Sequence, residues 1–239
     1  MQAFILAYAN SKPYSLHMTR EIIPHPLNQP IRFAAVLTGD LVNSTTIGTE
    51  AADGAMAAIE TVARTERNFS RGDVRFARFR GDGWQVYAED GSSVFRLTML
   101  ILATLRHQSH LAQTRLAAAT GPVAVLPASG LASATGEVFS LSGHGLDDLT
   151  TQRLVYESRH STGNWHRALF TYLDWQSSRW SAEQAEAVAL AFRYDPPRTH
   201  SVALDLGISR QAAQSRLKGA GFEPLAEAAY AFAALKDAP

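Results

Sequence analysis

The 239-residue chain contains no cysteine, only three lysines (Lys12, Lys218 and Lys236), no excess of either charge and no long apolar run. The missing cysteines exclude disulfides, thiolate metal sites and a cysteine nucleophile, so any metal must be held by oxygen or imidazole ligands. The 22 basic residues balance 22 acidic ones, which excludes a protein whose whole surface is a polyanion-binding field. A local basic face on a small module stays open. The longest strongly apolar stretch, Leu97 to Leu105, has nine residues, against about 20 for a membrane span. Residues 1–9 lack the basic start and apolar core of a signal peptide, so a cytoplasmic location is expected and no membrane partner.

What is present divides the chain into four stretches. Residues 1–30 carry four prolines and no sustained periodicity, and read as an N-terminal arm. Residues 31–160 read as a palm-like domain. Phe33 to Thr38 is a buried strand, and Thr49 to Phe69 places Ala52, Met56, Ile59, Val62 and Ala63 at helical spacing. Val74 to Arg80 and Trp84 to Ala88 form a hairpin about Gly81-Asp82-Gly83. Phe95 to His107 is an apolar helix and Arg115 to Gly121 a fourth strand. The order βαββαβ is that of the ferredoxin-like α+β fold, an antiparallel sheet with helices on one face. A further helix is expected from Gly145 to about Tyr156. Residues 161–195 read as linking helices, one starting at a Ser181–Gln184 capping box, and Pro196-Pro197 opens an all-α segment, 196–239.

Two carboxylates stand out. Asp40 ends the first strand and Asp82 tips the hairpin that runs beside it in such a sheet. Converging there, they can hold Mg²⁺ or Mn²⁺ and through it a nucleotide phosphate. Gly39 and Gly81 suit close approach of backbone to phosphate, and Asn43 and Ser44 add oxygen ligands at the start of the next helix. Each aspartate taken singly is equally an ordinary turn residue.

Three segments carry a resemblance: Ala35-Val-Leu-Thr-Gly-Asp40-Leu-Val-Asn-Ser44, Phe79-Arg-Gly-Asp82-Gly-Trp-Gln-Val-Tyr87 and Leu116-Ala-Ala-Ala-Thr-Gly121-Pro-Val. With the C-terminal module they resemble the SatD family over residues 32–220. That resemblance implies a regulatory protein with a C-terminal helix-turn-helix. The first half is more distantly similar to class III nucleotide cyclases. There Asp40 and Asp82 fall on the metal-binding positions, and Arg78 falls where many cyclases carry a purine-selecting lysine. The likeness fails at the transition-state groups, because Asp147 and Thr151 stand where cyclases have Asn and Arg, with Arg153 two residues further on. An acid and a hydroxyl cannot neutralise charge developing on a phosphoryl group. A metal-dependent nucleotidyl cyclase using Asp40 and Asp82 is the alternative reading.

The segment His200 to Lys218 has the spacing of a helix-turn-helix. Ala203 permits close helix crossing, Gly207 takes the turn and Ile208 plugs the core. Ser209 caps the second helix, whose inner face takes Ala212, Ala213 and Leu217. The outer face offers Ser209, Arg210, Gln211, Gln214, Ser215 and Lys218, donors suited to base edges and phosphates. Arg198, Arg210, Arg216 and Lys218 against Asp205 leave a local excess of three positive charges. DNA is therefore the expected partner, with a nucleotide or phosphate ligand at the palm and a homodimer as further expectations. No histidines repeat at a metal-ligand spacing, and Trp165, Trp175 and Trp180 are expected to pack the linking helices onto the palm.

Overall fold

The computed structural model describes residues 33–68, 72–79, 81–108, 111–159, 165–193 and 200–233. The arm and Pro196-Pro197 lie outside the described residues. Strand β1 (Phe33–Leu41) is apolar on both faces, as its unbroken run requires, and sits at the centre of a five-stranded sheet. Its neighbours are β3 (Gly83–Ala88) and β4 (Thr114–Pro122), both antiparallel to it, with β2 (Val74–Phe79) outside β3. The order β2-β3-β1-β4 is the one expected for βαββαβ connectivity. A fifth strand, β5 (Leu154–Glu157), adds parallel to the outer edge of β4.

Between these strands come a four-residue helix α1 (Ser44–Ile47), α2 (Thr49–Arg67) and α3 (Val94–His107). The apolar stripe of α2, including Met56 and Ile59, and most of α3 pack on the sheet face that carries Leu37, Trp84, Val86 and Leu116. Glu66 continues the α2 stripe into the core, where its carboxylate accepts from Arg96 Nε of α3 at 2.8 Å.

Two expectations are corrected beyond β4. The helix anticipated over 145–156 is instead α4 (Glu137–Asp147), followed by the strand β5. Val138, Ser142 and Gly145 supply the helical stripe, while Leu154 and Tyr156 alternate inward and satisfy an edge that β4 would otherwise leave unpaired. Helices also cover both faces of the sheet rather than one. Helix α4 lies against Ala34, Val36, Tyr87 and Ala119, and Tyr87 stacks with Phe139. Its approach is close because Gly145 has no side chain; a Cβ there would come within 3.1 Å of Ala117 and Glu157.

The remaining helices are α5 (Trp165–Ser177), α6 (Ala182–Ala191), α7 (His200–Leu206), α8 (Arg210–Gly219) and α9 (Phe222–Ala233). The capping box at Ser181 and Gln184 forms as expected. Val202, Ala213, Leu217 and Phe232 belong to the same hydrophobic core as the sheet. Of the three tryptophans expected to pack, only Trp180 is buried, with its indole N–H on the Ala220 carbonyl at 2.9 Å. Trp175 is 51% exposed because it falls on the side of α5 opposite His166, Phe170 and Leu173, and Trp165, at the helix start, touches His166 and Phe232 but stays 44% exposed. Among the described residues no helix is long and apolar enough to cross a membrane.

Candidate functional site

The site grows from the alternation of β1. Leu37, Gly39 and Leu41 face α2 and α3, so Thr38 and Asp40 point to the α4 face. Asp40 is paired in register with Gly83 on β3 and with Arg115 on β4. Asp82 precedes Gly83, and its carbonyl accepts from Leu41 N–H at 3.1 Å. The strand end and the hairpin tip are therefore adjacent.

What meets the Asp40 carboxylate is a guanidinium. Arg115 donates from Nε to Asp40 Oδ1 at 3.0 Å and from Nη2 to Oδ2 at 2.5 Å, a bidentate cross-strand pair with both side chains partly exposed. The Asp40 hydrogen bond holds the Arg115 proton above the ordinary arginine range, against a smaller opposing effect of burial. The negative charges of Asp40 and Asp82 add to it. Arg115 thus lies within the field of both aspartates. It is also the residue sequence reading passed over. Its signal lay in the register, since antiparallel pairing of β1 with β4 sets position 115 directly opposite position 40.

Other polar groups on this face hold one another. Gln85 Nε2 donates to Thr38 Oγ1 at 2.9 Å, and Thr38 shares a 2.8 Å hydrogen bond with Ser142 Oγ of α4. The remaining residues singled out from sequence are dispersed. Gly39 faces the other side of the sheet, where the Trp84 ring fills the space a Cβ would take. Arg78 also lies on that side, donating to Asp53 Oδ1 of α2 at 2.6 Å and to the Gly81 carbonyl at 2.9 Å. Gly81 takes positive φ in the hairpin turn. Asn43 is exposed and left-handed (φ 57°) at the start of α1, and the backbone of Ser44 begins that helix. Asp147 and Thr151 are exposed, and Arg153 is committed to Asp174 of α5 at 3.3 Å. A groove of about 400 Å³ opens elsewhere, between α2, α3 and α6 beside Thr61, Thr104 and Arg193.

These residues do not fit a divalent cation as they stand. A metal needs the carboxylate oxygens that Arg115 occupies, and among the described residues no group of three or more His, Asp or Glu side chains converges. Manganese titration followed by electron paramagnetic resonance is expected to show little binding to the native chain. Arg115→Ala, which frees both oxygens and removes a positive charge, should tighten binding at least about tenfold. Tight native binding that Asp40→Asn abolishes would contradict this.

The second cluster lies on α8. Gly207, at φ 61°, turns the chain, and Ile208 N–H bonds the Ala203 carbonyl at 3.1 Å. Ser209 Oγ then accepts from Ala212 N–H at 3.1 Å and starts α8. Ala213 and Leu217, four residues apart, form the buried stripe. Ala212 is exposed, not buried, because it lies a third of a turn off that stripe. Ser209, Arg210, Gln211, Gln214, Ser215 and Lys218 are all exposed. Arg216 is drawn back to Glu186 of α6 at 3.1 Å.

Comparison with known proteins places the chain in no named family: no family model matches, and neither does any curated protein. Among solved structures, the guanylyl cyclase Cya2 matches at a TM-score of 0.39 and 16% identity, over 55% of this chain and 82% of that one. A bacterial light-regulated adenylyl cyclase matches at 0.37 and 16%, over 52% of this chain and 42% of that one. Likenesses of this strength fix neither ligand nor activity.

Proposed function

We propose that this chain is a SatD-like DNA-binding regulatory protein in which α8 is the reading helix. One observation carries the proposal: the α8 side chains with donor chemistry are exposed together, while the opposite stripe anchors the helix to the core. The short helix α7 in contact with α8, the glycine turn and the serine cap support this reading. Arg210, Gln211 and Gln214 suit guanine and adenine edges, and Ser215 and Lys218 suit phosphates. The palm is the body that carries this helix. A nucleotide or other phosphate ligand at its Asp40–Asp82 end would draw on Arg115 as the local cation, without metal. Cyclase chemistry has less support, since Arg115 engages Asp40 and Arg153 is held by Asp174.

Fluorescence anisotropy with labelled genomic fragments tests the reading. Binding should weaken steeply between about 50 and 200 mM salt, as release of phosphate counterions requires. Arg210→Ala or Gln214→Ala should each cost about 1–3 kcal/mol, roughly 5- to 150-fold in affinity, without loss of fold. Absence of binding at low salt, or equal binding by both variants, would overturn it.

A further inference from the structure

Helix α5 exposes a stripe that the described fold covers only at its Trp165 end. Trp165, Ala168, Tyr172, Trp175 and Arg179 recur at alternating spacings of three and four along α5 and the turn after it, and all are exposed. That is the a/d spacing of helices that pair. The stripe is organised as well as apolar: the Tyr172 and Trp175 rings stack 5.8 Å apart, and the Arg179 guanidinium lies 4.1 Å over Trp175. Tyr, Trp and Arg are the side chains that dominate binding at protein interfaces.

Helix α9 meets α5 at its two ends. Trp165 touches Phe232 near the end of α9, and Gln176 donates to the Ala220 carbonyl just before its start, at 2.9 Å. The two helices carry opposite charge on their exposed sides. Arg179 stands in the turn after α5, whose acid, Asp174, is turned to Arg153, while Arg167 is held by Glu157 of β5. Glu223 and Glu227 stand on α9 with half-exposed Tyr230, and α9 contains no base.

We propose that the α5–α9 face is where a second copy of this chain docks, across a two-fold axis that sets α5 of each subunit on α9 of the other. Such an interface is self-complementary in charge, because Arg179 meets Glu223 and Glu227 of the partner subunit and the reverse contact follows by symmetry. Ala168 leaves room in the stripe beside the large rings for an incoming side chain. A polyanion fits this face poorly, since the same glutamates would repel it. The proposal stands apart from the DNA reading, which rests on α8.

Sedimentation velocity on the full chain across a range of about 1–100 μM tests it. The native protein should shift to a dimer with rising concentration. Trp175→Glu should raise the dissociation constant at least about tenfold, about 1.4 kcal/mol, with its thermal midpoint unchanged at concentrations where both proteins are monomeric, because the ring is exposed. Arg179→Glu should also weaken the dimer, and combining it with Glu223→Arg and Glu227→Arg should restore it. A native monomer at 100 μM would overturn the proposal. So would a dimer indifferent to Trp175→Glu, or variants that lower DNA affinity while leaving the dimer intact.

Discussion

Trp84→Ala is expected to lower the unfolding free energy by about 3–5 kcal/mol, read as a fall in the urea midpoint at unchanged slope. The indole is fully buried beside β1, and its N–H donates to Thr114 Oγ1 at 2.9 Å, so truncation opens a cavity and removes that hydrogen bond. The ring has its place because position 39 is glycine. A Cβ there would stand 2.5 Å from the Trp84 ring and 2.6 Å from the Arg115 carbonyl oxygen. Gly39→Ala should therefore cost about 1–3 kcal/mol by overpacking. Combined with Trp84→Ala, it should cost less than its single effect, because one of the two clashes is gone. Strict additivity of the two changes would show that the ring can move aside, and that this glycine is not there for the tryptophan.

Breaking the Glu66–Arg96 pair should have an effect of similar size. Glu66 and Arg96 are 3% and 8% exposed, joining α2 to α3 through the 2.8 Å hydrogen bond. Glu66→Ala leaves a guanidinium without its carboxylate in that interior, and about 3–5 kcal/mol of stability should go with it. Replacing both members with apolar side chains of similar volume, Glu66→Leu with Arg96→Met, should recover most of the loss, since neither charge then has to be desolvated. Chemical denaturation of the two singles and the double closes the cycle. A double variant as unstable as the sum of the singles would show no coupling between the two side chains and would overturn the expectation.

Much of the fold could be read along the chain. The apolar run of β1, the helical stripe of α2, the hairpin about Gly81 and the Ser181 capping box are local signals, set by residues within a few positions of one another. The stretch after β4 misled because Gly145 to Tyr156 mixes a helix end with a short strand. What makes Leu154–Glu157 a strand is the open edge of β4, a partner far away in sequence. The tryptophans show the same limit. Helical spacing placed Trp165 and Trp175 on one side of α5, but which side meets the core was settled by His166, Phe170 and Leu173.

The absence of thiol chemistry, the balance of charge, the positions of most strands and helices, and the outward donors of α8 all follow from local order along the chain. Periodicity and turn chemistry are properties of neighbouring residues, so they need no tertiary context. What meets the Asp40 carboxylate depends on long-range pairing. Asp40 and Arg115 are 75 positions apart and meet because β1 and β4 pair in one register, which turns an apparent metal ligand into half of an ion pair. The same packing drew Arg153 to Asp174 and Arg216 to Glu186, and left the aromatic stripe of α5 uncovered beyond its Trp165 end.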